Sequence, residues 1–159
     1  RRVPNGLQRP LTEERRMLVK NILGEKGREV VSITSDSTLS EATRLLARRR
    51  IGAVVVRDET GALAGILSER DVVHAVADGS VSSLARPVSL FMTRAVATCC
   101  ETDSIEELME MMTIGRFRHV PVVDNGMITG IVSIGDVVKT RIAETVQEAA
   151  SLREYITAA

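Results

Sequence analysis

The chain is one unit written twice, and that repetition limits what it can fold into. Residues 30–73 and 96–138 align at a constant spacing apart from a single-residue deletion near Thr60. The matched pairs include Val30/Val96, Glu41/Glu107, Arg50/Arg116, Val54/Val120, Asp58/Asp124, Gly65/Gly130, Ser68/Ser133 and Asp71/Asp136. A leading fragment repeats as well, VKNIL at 19–23 resembling VSLFM at 88–92. Such self-similarity marks a supersecondary unit whose apolar face is covered by its neighbouring copy. A lobe of roughly 60 residues buries too little apolar surface to be comfortably stable alone. Two copies packed sheet against sheet remove that difficulty. They also enclose a cleft of approximate twofold symmetry, a usual place for a small-molecule site.

Each copy follows the same order. A short extended piece (29–33; 95–99) leads into a polar turn, SDST or ETDS, that supplies N-cap residues. A helix follows (39–49; 105–114) with apolar residues at helical spacing: Leu39, Ala42, Leu45 and Leu46, or Ile105, Leu108, Met109, Met111 and Met112. Next come the β-branched runs AVVV (53–56) and VPVV (120–123), turns containing Gly61 or Gly126, and second strands at 63–67 and 128–132. Each pair of strands reads as a hairpin. A closing helix starts near Asp71 or Asp136. The expected architecture is therefore α/β: two tandem β-α-β-β-α repeats with pseudo-twofold symmetry. The expected division is an N-terminal extension at 1–18, repeats at 19–82 and 83–145, and a helical tail at 146–159.

Composition removes several classes of function. Lys and Arg number 21, as do Asp and Glu, so no net field pulls the chain toward nucleic acid or an anionic membrane. No apolar run approaches the roughly 18–20 residues that span a bilayer. Phe91, Phe117 and Tyr155 are the only aromatics besides histidine, so a planar ligand must be held mainly by aliphatic side chains and backbone. Cys99 and Cys100 are adjacent, which suits neither a disulfide framework nor a zinc site, and they read as ordinary reduced thiols. With two histidines, no activated Ser or Cys arrangement and no Gly-rich phosphate loop, the residues point to neither a catalytic nor a metal centre.

The closing motifs GILSERD (65–71) and GIVSIGD (130–136) admit two readings. Ser-x-x-Asp before an apolar helix is close to a capping box, with Ser68 or Ser133 accepting a backbone N–H. The same helix start can face a phosphate, with the Ser hydroxyl as donor and the Asp carboxylate accepting from a ribose hydroxyl pair. His119 is open in the same way, between a structural residue and a ligand contact.

These repeats, above all RHVPVVDNGMITGIVSIGDVV at 118–138, resemble tandem cystathionine-β-synthase-type (CBS) domains, the pair called a Bateman module. The resemblance covers about residues 17–145. It implies a stand-alone, non-catalytic regulatory module that binds AMP, ADP, ATP, NAD or S-adenosylmethionine between the repeats as an energy or redox-state sensor, with AMP, ATP or NAD foremost and no required cofactor. It further implies Asp136 with Ser133, and Asp71 with Ser68, as ribose and phosphate contacts. The base site maps onto Val96, Ala97, Phe117, Arg118 and His119 in the second copy and onto Val30, Val31, Ile51, Gly52 and Ala53 in the first. The family's strand proline is present as Pro121 and replaced by Val55 in the first copy. The residue before the Asp is Arg70 in one copy and Gly135 in the other, so the two sites are expected to differ, the second being primary.

The remaining expectations concern partners and place. The segment from Val137 to Tyr155 contains no Gly or Pro and carries Val138, Ile142, Val146, Ala149 and Leu152 as an apolar stripe. It is expected to form a long helix packing on a second subunit, giving a homodimer that acts on an unidentified regulated protein. The Met cluster reads as core or subunit interface, and the arginines at 48–50 as a solvated helix end. The alternatives are a dimerisation module with a vestigial cleft, and weak nucleic-acid binding through 48–50. The expected compartment is the cytoplasm, or an organellar matrix if RRVPNGLQRPLTEERR follows a transit peptide. That segment lacks an initiator Met and reads as the edge of a processed form or fragment, with Met17 as an alternative start.

Overall fold

A computed structural model describes residues 16–158; the basic segment at 1–15, on which the targeting and start-site readings rest, lies outside the described residues. Along the chain run α1 (Val19–Lys26), β1 (Ser32–Thr34), α2 (Leu39–Arg49), β2 (Ala53–Arg57), β3 (Leu63–Ser68) and α3 (Glu69–Gly79). After two short 3₁₀ turns come α4 (Ile105–Gly115), β4 (His119–Asp124), β5 (Met127–Ser133) and α5 (Ile134–Ala158). The fold is mixed α/β with two small sheets, one per repeat, ordered β1-β2-β3 and β4-β5.

Local chemistry sets the element boundaries. Thr38 and Ser104 cap α2 and α4, each exchanging hydrogen bonds with the glutamate three residues on, Glu41 or Glu107. Leu39, Ala42 and Leu46 put one face of α2 into the core, and Ile105, Leu108 and Met112 do so for α4. Both helices end on a left-handed arginine, Arg50 and Arg116, each with φ of 54°. The two hairpins share one register: Val54 faces Leu67, and Val120 faces Val132.

The leading extended pieces depart from expectation. In the first repeat the strand is shifted to Ser32–Thr34 and pairs in parallel with β2. In the second no strand forms at 95–99; only Cys99 bridges Val122, its N–H donating to the Pro121 carbonyl. The polar turn that follows each piece lets it touch its sheet along a few residues only. The residues ahead of it at 95–97 turn away to line a cleft.

The apolar residues form two cores, and each borrows its lid from the other repeat. Val19, Ile22 and Leu23 of α1 pack with Leu108, Val120, Val122 and Val132 of the second repeat. Val88 and Met92, from the start of the second repeat, pack with Leu39, Leu46, Val54 and Leu67 of the first. The backbone bonds match: Val19 N–H donates to Asp103 O at 2.9 Å, and Val88 N–H to Ser37 O at 2.8 Å. Strand glycines admit these crossing arms. A Cβ on Gly65 would lie 2.8 Å from the Thr93 carbonyl oxygen, and one on Gly130 would lie 2.6 Å from Leu23 Cδ2. Packing thus cuts across the sequence repeat.

Met112 is core and Met109 and Met111 pack against it. Cys99 is buried, and that burial pushes its thiol up to about 12; Cys100 is exposed. Helix α5 runs well past the repeat, and Val138, Ile142, Val146, Leu152 and Ile156 stay exposed along it. No helix among the described residues is long and apolar enough to cross a membrane.

Candidate functional site

A cleft of about 280 Å³ opens between the repeats. The first repeat contributes Gly52 and Ala53 at the start of β2, Ile66 and Ser68 from β3, and Arg70 and Asp71 from α3. The second contributes Thr93, Ala95, Val96 and Ala97, then Gly115, Arg116, Phe117, Arg118 and His119 at the passage from α4 to β4.

Hydrogen bonds hold each wall in place. Ile66 and Thr93 exchange N–H···O bonds of 3.0 and 2.9 Å, which carries 95–97 to the mouth of the first repeat's closing motif. The first N–H of α3, on Glu69, donates to Gly52 O at 3.0 Å, fixing the loop before β2 against the helix start. In the second repeat Ile134 N–H donates to Arg118 O at 2.8 Å in the same role. Gly52 leaves room for the His119 imidazole, whose Cε1 would lie 3.0 Å from a Cβ there. Gly115 lets the Phe117 ring fold over the end of α4, since a Cβ there would overlap the ring.

Both closing motifs are capping boxes. Asp71 Oδ2 accepts from the Ser68 N–H at 2.7 Å and from its hydroxyl at 2.9 Å. Asp136 Oδ2 accepts from Ser133 N–H and hydroxyl at 2.8 and 2.9 Å. The serine hydroxyl protons are therefore directed at the aspartates, and the capping and binding readings share the same atoms.

What separates the copies is a lysine. Lys26, at the end of α1, donates to Asp136 Oδ2 at 2.7 Å and to Ile131 O at 2.9 Å. Burial pushes the Asp136 carboxyl up, but the Lys26 ammonium and the Ser133 N–H and hydroxyl outweigh it and hold it below the ordinary carboxylate range. Among the described residues no cation bonds Asp71. His119 lies between the two aspartates' surroundings. Burial first, then the Arg118 and Lys26 charges, push its imidazole below its ordinary 6.5, against the opposing pull of Glu69 and Asp136. At neutral pH it is uncharged and can both donate and accept.

The structure groups the sequence-derived residues differently from the expectation. Val96, Ala97, Phe117, Arg118 and His119 share the cleft with Gly52, Ala53, Ser68, Arg70 and Asp71 of the first copy. Ser133, Gly135 and Asp136 do not line it. The reason is the crossing arm: Thr93 pairs with Ile66, so the second copy's entry segment lies beside the first copy's aspartate. The first copy's closing motif, and not the second's, thus lines this cleft. Pro121 is buried within β4, where its carbonyl serves Cys99. Val30 is half-buried outside the cleft, and Val31 and Ile51 pack against the first core. Sequence reasoning missed Ile66, Thr93, Ala95, Gly115 and Arg116 as lining residues. Arg116 was visible as the repeat partner of Arg50, whereas Lys26 carried no pattern that pointed to Asp136.

Comparison with known proteins places these features in a family. The CBS domain sequence model matches residues 19–78 and 86–143. The mitochondrial CBS domain-containing protein CBSX3 of Arabidopsis thaliana is 34% identical over 147 residues, covering 87% of this chain and 71% of that protein. Longer relatives from the same plant, CBSCBSPB5 and CBSCBSPB4, are spanned over only 21% of their length. The crystal structure of the CBS-domain protein ATU1752 from Agrobacterium tumefaciens superposes with a TM-score of 0.77 at 50% identity, over 78% of this chain and 92% of that one. A CBS domain protein from Pyrobaculum aerophilum, PAE2072, was crystallised with AMP (TM-score 0.68, 29% identity, 76% and 89% coverage). The CBS domain pair of MJ0100 was crystallised with 5-methylthioadenosine and S-adenosyl-L-methionine (0.73, 27%, 81% and 98%).

Proposed function

The chain belongs to the CBS domain family, and from that premise we propose that it is a non-catalytic regulatory module binding an adenine nucleotide or adenosyl ligand in the cleft between its repeats. The observation that carries this reading is the meeting of Asp71, uncompensated by any cation among the described residues, with Val96, Ala97, Phe117, Arg118 and His119 across one cleft. The base lies between the aliphatic residues and the Phe117 ring, with neutral His119 able to hydrogen-bond its edge. The second oxygen of Asp71 accepts from the ribose hydroxyls while Oδ2 keeps its cap. Relatives crystallised with AMP and with S-adenosyl-L-methionine support this ligand class. Asp136 is internally neutralised by Lys26, so one ligand per chain is expected.

Binding across both repeats clamps them in one arrangement and so changes the surface offered to a regulated protein, which requires the ligand to favour that arrangement. The exposed apolar stripe of α5, with Ile142 60% and Leu152 64% accessible, supports a homodimer formed through this helix. The compartment is the cytoplasm or an organellar matrix; the similar plant protein is mitochondrial. The same stripe favours a second reading, a dimerisation module whose cleft is vestigial.

A thermal-unfolding panel of AMP, ADP, ATP, NAD, NADH and S-adenosylmethionine, with GTP as control, separates the two. A ligand at about 100 times its Kd adds about 2.7 kcal/mol. A selective rise in midpoint with adenine ligands is expected. A stable dimer that responds to none of them, after removal of any co-purified nucleotide, overturns the sensor reading in favour of the dimerisation module.

A further inference from the structure

Resting on the nucleotide reading, we infer that the cleft selects adenine nucleotides by their phosphate chain, taking di- and triphosphates in preference to AMP and rejecting the sulfonium of S-adenosylmethionine. Arg70, Arg116 and Arg118 line the cleft, where Asp71 is the sole carboxylate-bearing lining residue. Among the described residues none of the three arginines forms an ion pair. All three are exposed, and Arg70 reaches across the repeats, its Nη1 3.4 Å from the Arg116 carbonyl oxygen. A chain of zero formal net charge thus concentrates uncompensated guanidinium groups at one opening.

The same three arginines, with Phe117, also line an adjoining cavity of about 340 Å³ bounded by Met112, Thr113 and Ile134. Adenosine bound against Asp71 and His119 therefore has an exit for its 5′ substituent past three guanidinium forks. Each fork can bind phosphate oxygens bidentately. S-adenosylmethionine brings a sulfonium, an ammonium and a single carboxylate, a net positive 5′ substituent that three guanidinium groups disfavour relative to a polyanionic phosphate chain.

The repeat itself supplies the control. The second-copy counterpart of Arg70 is Gly135, and the first-copy counterpart of Arg118 is Gly52. Only Arg116 has an arginine counterpart, Arg50, so two of the three guanidinium groups belong to this cleft and not to the other. Around Asp136 the cation is Lys26, already bonded to the carboxylate. The positive charge is in this way placed for a ligand on one side and consumed internally on the other.

The test is calorimetric titration of the full chain with magnesium-free ATP, ADP, AMP, S-adenosylmethionine and adenosine at two salt concentrations. ATP is expected to bind at least about tenfold more tightly than AMP, from added charge-assisted hydrogen bonds. Its affinity should also fall more steeply with salt. In the Arg70→Gln/Arg116→Gln chain the ATP advantage should collapse toward AMP while adenosine affinity is kept. Because both side chains are exposed, an unchanged unfolding midpoint without ligand serves as the folding control. Equal binding of ATP and AMP by the natural chain, or S-adenosylmethionine binding as tightly as ATP, overturns the inference and leaves the adenosyl site standing. Absence of binding by every one of these ligands overturns the site as well.

Discussion

The two closing motifs have the same four-residue geometry and different surroundings. Ser68 with Asp71 and Ser133 with Asp136 form capping boxes whose bond lengths agree within 0.2 Å. Yet Asp71 opens on a cleft walled by the other repeat, and Asp136 is bonded to Lys26 from an arm that crosses from the first repeat. The motif therefore defines a helix start in both places and, on the proposed function, a ligand site in one. Lys26 lies about 110 positions from the carboxylate it bonds, so what surrounds each motif is set by the crossing arms and not by the motif itself.

The largest expected contrast is in binding. Asp71→Ala should weaken adenine-nucleotide binding by about 1.5–3 kcal/mol, the range for hydrogen bonds to a charged acceptor. Asp136→Ala should leave affinity nearly unchanged while removing a cap worth about 1 kcal/mol of stability. Equal losses of affinity in the two variants would break the comparison.

Next in size is the tolerance of the two strand glycines. A Cβ on Gly65 meets the backbone oxygen of Thr93 as well as the Met92 side chain, whereas one on Gly130 meets only the side chain of buried Leu23. Gly65→Ala should cost about 2 kcal/mol in urea unfolding, within the range for overpacking, and Gly130→Ala less than about 1 kcal/mol. The reverse order would mean that the α1 arm is the more rigidly held of the two.

Removing the plug is a smaller perturbation with a distinctive readout. Lys26 and Asp136 side chains are 33% and 23% accessible, so solvent screens their attraction. Lys26→Met should lower stability by about 1 kcal/mol or less, and a second, weaker nucleotide per chain should appear by calorimetry. A ligand count that stays at one would show that Lys26 is not what closes the second side.

The smallest contrast is in pH. Because folding lowers the His119 value below its ordinary 6.5, the folded state prefers the neutral imidazole. Its contribution to stability is complete above pH 6.5 and is lost as the pH falls through the lowered folded value. His119→Gln should flatten the pH dependence of unfolding in that window.

Much of the fold was legible because the signals are local. Thr38, Ser104 and their partner glutamates marked helix starts, β-branched runs marked the hairpins, and helix α2 occupies the very residues its apolar spacing indicated. The closing serines and aspartates were found because the motif recurs. The assignment of residues to a common cleft was not legible. It depends on α1 and the 88–92 segment exchanging repeats, which local periodicity does not encode. The sequence ranked Asp136 above Asp71 because Pro121 and the closer family pattern favoured the second copy; the bond from Lys26 lay in an arm with no assigned partner. The extended piece at 95–99 read as a strand from its residue types, but its backbone is drawn to the cleft instead.

The central claim is that ligand enters beside Asp71 and not beside Asp136. Backbone amide chemical-shift mapping with saturating adenine nucleotide tests it residue by residue. The largest shifts are expected at Gly52, Asp71, Thr93, Ala95, Ala97 and Arg116 through His119, with little change at Val30, Val31, Gly135 and Asp136. Shifts centred instead on Val30, Val31, Ser133 and Asp136 would contradict the account and return the site to the second motif.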